Sequence, residues 1–211
     1  MAVIKSGAST DQLTIDATSK AARVTLYDTS GRPVNSSATY GISSIFTPAA
    51  TPNNLVIIQG SATKTIRVQA MWIYTQTTAA GSVQFFLKKY STNHSGGTFV
   101  SAGTPVPFDS NNAAATVNNV GHFTADPTPG TLVGTIRNVS IATPVLRPAT
   151  PAGIIEISGV NMVTGTQDNL DNPHIQPMTL RGTAQYLAID FNDAALVAGQ
   201  VHQYTVVWTE E

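Results

Sequence analysis

Lys64-Thr65-Ile66-Arg67-Val68-Gln69-Ala70-Met71-Trp72-Ile73-Tyr74 decides the fold class. Ile66, Val68, Ala70, Trp72 and Tyr74 alternate with Arg67, Gln69, Met71 and Ile73. A period of two marks a strand, because successive strand side chains point to opposite faces. The β-branched and aromatic residues suit a pleated, half-buried surface. The period returns after the Thr75–Gly81 linker, where Val83, Phe85 and Leu87 alternate with Gln84, Phe86 and Lys88. These two segments read as an antiparallel pair.

Working outward, Ala22 to Tyr27, Leu55 to Gln59, Thr131 to Ile141, Ala184 to Phe191 and Gln200 to Thr209 read as further strands. Gly153 to Ile157 reads as a short buried one. Residues 28–53 read as loop, broken by Pro33, Gly41, Pro48 and Pro52, with Tyr40, Ile42, Ile45 and Phe46 docking on a core. Residues 91–130, rich in Asn, Ser, Thr, Gly and Pro, read as the longest loop, with one strand near Thr98–Ser101. Long loops in compact domains are usually functional. Pro144, Pro148 and Pro151 mark an extended connector, and Gly165–Pro177 a polar loop. Asn192 to Gly199 reads as one or two helical turns, capped by Asn192 or Asp193 and ended by Gly199. Eight or nine strands with polar connections predict an all-β fold, a two-sheet antiparallel sandwich of jelly-roll type. An immunoglobulin-like sandwich is the second choice.

Composition agrees. Of 211 residues only 11% are charged, and Thr, Ser, Asn, Gln, Gly and Pro take their place. Five Lys and three Glu are too few to sustain long exposed helical faces. The net charge of −1 and the lack of a basic run argue against a nucleic-acid partner, which needs cations to neutralise phosphates. No apolar run approaches the length of a membrane span, so no membrane partner is expected. The segment Met1-Ala2-Val3-Ile4-Lys5-Ser6 lacks the apolar core of a signal peptide, which predicts synthesis in a cytoplasm. The Asn-x-Ser patterns at Asn35, Asn93 and Asn138 then carry no meaning. There is no cysteine, hence no disulfide or thiolate metal site.

Candidate chemistry is thin. His94, His122, His174 and His202 have no metal-ligand spacing and read as loop or surface imidazoles, with His202 facing solvent from its strand. Asp168-Asn169-Leu170-Asp171-Asn172 could offer oxygens to calcium but lacks the spacing and glycine of a calcium loop. Asn93-His94-Ser95-Gly96-Gly97 sets Ser beside His, but adjacent side chains diverge, and no nucleophile elbow is present. Nine Asp, mostly in turns, and a lone internal Glu156 give no carboxylate pair for glycoside hydrolysis. Trp72 and Trp208 lie in alternating strands and are expected to pack in a core or between subunits rather than to stack on sugar. No catalytic residue, cofactor or metal site is expected.

The N-terminal stretch Ser9-Thr10-Asp11-Gln12-Leu13-Thr14-Ile15-Asp16-Ala17-Thr18-Ser19-Lys20-Ala21-Ala22-Arg23-Val24-Thr25-Leu26-Tyr27-Asp28 resembles an N-terminal segment of structural proteins of tailed bacteriophage particles. The resemblance covers about thirty residues at the N-terminus and stops there. It implies a non-enzymatic virion subunit, either capsid-decorating (cement) or tail- or baseplate-associated. Such a subunit would be localised in the virion, with other virion proteins as partners. The residues themselves suggest an extended arm, 1–20, followed by one sandwich domain, 21–211. With only Val3, Ile4, Leu13 and Ile15 as large apolar groups, the arm cannot repay about 1–2 kcal/mol of backbone entropy per residue by itself. It is expected to order on a neighbouring subunit. Met71 with Ile73, and Phe86 beside Phe85, suggest sheet faces covered on both sides and a homo-oligomer, expected to be a trimer. A carbohydrate- or receptor-binding module of a tail tip is the alternative.

Overall fold

The computed structural model describes residues 14–15, 22–23, 37–48, 56–77, 81–143, 158–162, 178–191 and 199–211. The chain divides into two units, Met1–Ser37 and Ala38–Glu211. In the first, β1 (Thr14–Ile15) pairs antiparallel with β2 (Ala22–Arg23). The expected boundary at residues 20/21, the rest of the Ala22–Tyr27 strand, the Gly153–Ile157 strand, the Gly165–Pro177 loop and the helical turns at 192–198 lie outside the described residues.

The second unit is all β among its described residues. Its strands are β3 (Ala38–Phe46), β4 (Val56–Gln59), β5 (Ile66–Gln76), β6 (Gly81–Tyr90), β7 (Thr98–Ser101), β8 (Val106–Pro107) and β9 (Val120–Ala125). They continue with β10 (Leu132–Thr143), β11 (Ser158–Asn161), β12 (Met178–Leu180), β13 (Tyr186–Asp190) and β14 (Val201–Glu210). One sheet runs β11-β5-β14-β3-β8, with β12 also on β5, and the other β10-β6-β13-β4-β9-β7. All pairings are antiparallel.

This connectivity is a jelly roll. Take β3, β4, β5, β6, β10, β11, β13 and β14 as eight strands in chain order. The first pairs with the eighth, the second with the seventh, the third with the sixth and the fourth with the fifth. That is one long antiparallel hairpin rolled up, with two lateral pairings, β14 on β5 and β13 on β6, closing the sheets. Strands β7, β8 and β9 form an insertion at the tip of the hairpin. They extend the two sheets beyond β4 and β3.

The core lies between the sheets. Tyr40, Ile42, Phe46, Met71, Ile73, Tyr204, Val206 and Trp208 come from one, and Val56, Ile58, Phe85, Leu87, Leu187 and Ile189 from the other. A smaller cluster of Ile57, Tyr90, Phe123, Tyr186 and Ala188, with Phe99 against it, forms separately. Ile57 alternates with Val56 and Ile58, and Ala188 with Leu187 and Ile189, so β4 and β13 are buried on both faces. The insertion covers the second face. His94 packs edge-on against Phe123 and Tyr186, and the Gly130 N–H donates to the Tyr186 hydroxyl at 3.0 Å. Gly97 permits this return, with a φ of 73° and room for no Cβ beside the Ala125 carbonyl and Pro127 backbone.

Several expectations are corrected. Strands β5 and β6 are not a pair; they lie in opposite sheets. The stretch 28–53 holds β3, paired along its length with β14 and flanked only at Tyr40 and Gly41 by the short β8, and 91–130 holds β8 and β9 besides β7. The alternation of β5 changes phase. Val207 lies opposite Ala70 but Trp208 opposite Val68, so Gln69 is an extra, bulged residue. Ile66 and Val68 face the core before it, and Met71, Ile73 and Thr75 after it, while Trp72 and Tyr74 are only partly buried. Met71 and Ile73 are therefore core residues, and their apparent second apolar face is the trace of a bulge. Phe85 is core, while Phe86 is partly buried with the Lys88 ammonium 5.6 Å from its ring centroid.

Candidate functional site

The buried polar groups are the places where chemistry could reside, and nearly all are committed to structure. His202 does not face solvent; it is fully buried, on the inward phase that β14 shares among His202, Tyr204, Val206 and Trp208. Its Nε2 accepts from the Gln200 amide at 2.9 Å, which leaves the proton on Nδ1, 2.9 Å from the Thr75 hydroxyl. Burial lowers its pKa to about 3, opposed by a hydrogen bond to the Tyr74 backbone. A hydroxyl beside an imidazole is the geometry of an activated nucleophile. Here Thr75 is 1% exposed and His202 0%, so no substrate carbonyl reaches the pair.

His122, on β9, stacks on Phe46 with ring centroids 4.5 Å apart, and its Nδ1 lies 3.2 Å from the Tyr204 hydroxyl. Burial lowers the His122 pKa and raises that of Tyr204 to about 12, the latter opposed by a Ser44 hydrogen bond. Neither imidazole meets a carboxylate in these contacts, so neither is set up as an acid–base relay. Among the described residues no group of three or more His, Asp or Glu could hold a metal ion, and no helix is long and apolar enough to cross a membrane.

Two polar clusters fasten the insertion. The Gln59 Oε1 accepts from Asn118 Nδ2 at 2.8 Å and Asn119 Nδ2 at 2.6 Å; its Nε2 donates to Asn93 Oδ1 at 2.5 Å and to the Thr183 carbonyl. One side-chain amide thus fills all four of its hydrogen-bonding positions. The Glu210 carboxylate accepts from the Thr116 and Val117 N–H groups, the Thr116 hydroxyl and the Trp208 indole. A buried ion pair, Lys88 Nζ to Asp190 Oδ2 at 2.8 Å, ties β6 to β13.

The sequence candidates fall out accordingly. Asn93 serves the Gln59 cluster, and Ser95 exchanges two backbone hydrogen bonds with Thr128, so Asn93-His94-Ser95 is part of a structural turn. His94 is wedged between aromatic rings with its Nδ1 buried and unpaired, and burial lowers its pKa. Trp208 is core, and Trp72 is partly buried. Asp168 to Asn172 and His174 lie outside the described residues.

Among the described residues, large apolar side chains stand exposed mainly toward the sheet edges. On the edge strand β10, Leu132 is 50% exposed, Val133 62% and Ile136 45%. At the opposite edge, Ile45 on β3 is 64% exposed, Val106 on β8 63%, and Phe108 just after it 66%. Phe108 is held by its N–H on the Thr39 carbonyl at 2.8 Å, and its ring lies over Gly41, where a Cβ would approach Cε1 to 2.8 Å. Sequence reasoning did not single out these residues as a site. Their exposure depends on which strands end the sheets, and only topology gives that. No protein-family model, curated protein or solved structure matches this chain.

Proposed function

We propose that the chain is a non-enzymatic structural subunit of a tailed-bacteriophage particle, capsid-decorating or tail-associated. It acts by assembling with copies of itself, as a trimer, and with other virion proteins, and it binds neither nucleic acid nor membrane. One observation carries this reading. Among the described residues nearly all buried polar groups are occupied in holding the jelly roll and its insertion, while large apolar side chains stand exposed at both edges. Grouped exposed apolar residues mark protein–protein contact sites. The N-terminal resemblance to phage structural proteins supplies the setting, and a surface poor in charge suits a subunit packed among others.

The tail-tip alternative draws support from Trp72 and Tyr74, which share the outward phase of β5 and lie opposite Thr205 and Gln203. Aromatic rings beside hydroxyls and amides suit a sugar. A glycan array separates the two readings: binding abolished by Trp72→Ala favours the sugar site, and no binding favours assembly alone. Mass spectrometry of purified particles from phages that encode the chain tests the main reading. Its peptides should be found at a copy number matching a particle symmetry. Their absence from intact particles contradicts it.

A further inference from the structure

We infer that the two apolar edges are the two halves of one heterologous, head-to-tail interface between copies of this chain; this rests on the homo-oligomer reading above. The edges are chemically different and lie on opposite flanks. One sheet runs from β10 to β7 and the other from β11 to β8. β10 adjoins β11 on one flank, and the β7–β8 segment closes the other. A two-fold dimer joins a patch to itself and would bury only one flank. Pairing unlike flanks buries both and closes a ring when the rotation allows.

Three features fit the flanks to each other. First, pairing of β10 with β6 slips between Leu132 and Gly134 and again between Thr135 and Arg137. Val133 and Ile136 are thus bulged residues at a sheet edge. Bulges blunt an edge against strand addition, usually with polar residues. Here they instead lift two β-branched apolar side chains out of the ladder, as knobs for side-chain packing. Second, the opposite flank offers Phe108 and Val106 as an apolar surface, with the Phe108 ring supported on Gly41. Third, the charges are complementary. Residues 132–143 contain Arg137 and no Asp or Glu, whereas residues 91–131 contain Asp109 and Asp126 and no Lys or Arg. Arg137 directly follows the knob Ile136, and Asp109 directly follows Phe108. Complementary charge at a rim fixes register and speeds encounter.

Two full-length double variants test this, one Val133→Asp with Ile136→Asp and the other Val106→Asp with Phe108→Asp. All four positions are exposed, so both variants should keep the wild-type circular dichroism and melting temperature. Sedimentation at micromolar concentration should show a closed ring for the wild type and a monomer for each variant. An equimolar mixture of the variants should form a one-to-one dimer and grow no further, since one intact flank of each kind remains. If either variant keeps the wild-type size, or the mixture stays monomeric while the wild type is a ring, the flank pairing is overturned and the homo-oligomer reading stands. A monomeric wild type overturns both.

Discussion

The Glu210 carboxylate grips Thr116 at both its backbone N–H, 2.9 Å away, and its hydroxyl, 2.8 Å away. The last strand thereby fixes an insertion that lies 94 residues earlier in the chain. Buried donors left without an acceptor cost about 1–3 kcal/mol each. Glu210→Ala strands the Thr116 and Val117 N–H groups and the Trp208 indole, and should lower unfolding free energy by roughly 3 kcal/mol. The loosened insertion should also be cut faster by proteases between residues 105 and 119. Wild-type urea midpoint and wild-type protease resistance in this variant would refute the clamp.

Acid should destabilise the fold through His202. Its pKa is depressed to about 3 in the folded protein against the ordinary histidine value of 6.5, so the unfolded chain binds the proton first. Stability from this group is complete above pH 6.5 and is lost as pH falls from 6.5 toward 3, by up to about 1.4 kcal/mol per pH unit. His122 and His94, also lowered by burial, act in the same direction. His202→Gln removes one titrating group, so its stability should fall less steeply than wild type between pH 6.5 and 4.5. Urea titrations across that range give the two slopes, and equal slopes would contradict the account.

The Lys88–Asp190 pair is 12% and 1% exposed at its two side chains, so removing one partner takes the ion pair away from a buried charge. Breaking such a pair costs about 3–5 kcal/mol, whereas replacing both partners with apolar residues is often neutral. Lys88→Met should therefore be strongly destabilised, and Lys88→Met with Asp190→Leu should recover most of the loss. A double variant no more stable than the single one would show that the aspartate's burial is not the source of the cost.

Gly41→Ala probes the exposed flank from beneath. The new Cβ would meet the far end of the Phe108 ring at 2.8 Å, which a flexible side chain relieves by swinging off the sheet. The fold should persist with an unchanged melting curve at dilution. Self-association should weaken by about 1–2 kcal/mol, the scale of a moderate interface contact. Dilution series by light scattering measure it. Unchanged association would mean that the seating of Phe108 does not matter.

Much of the fold is legible in the sequence because strand burial is periodic. Strands β4, β5, β6, β10, β13 and β14 follow from alternation or continuous apolar runs. Strand β3 hides because Gly41, Ser43 and Ser44 dilute the signal of Tyr40, Ile42 and Phe46, although these three keep strict alternation. Gly41 is there to admit the Phe108 ring, a long-range reason that a local pattern cannot express. Strand β9 hides because Gly121 lets Phe99 and the Val100 carbonyl approach closely, and His122 breaks the apolar run. Counting back in twos from Trp208 through Val206 and Tyr204 places His202 inward, so its burial was readable. The bulge at Gln69 was not, since it inverts the phase with no marker residue. The exposed flanks were likewise hidden, because the same apolar residue is core in a central strand and surface at an edge.

Sedimentation velocity of the intact wild-type chain at micromolar concentration distinguishes a closed ring of subunits from a monomer. One discrete species of three copies is expected, stable to dilution and free of larger polymers, as closure of a head-to-tail ring requires. A single monomeric species across the concentration range would contradict it.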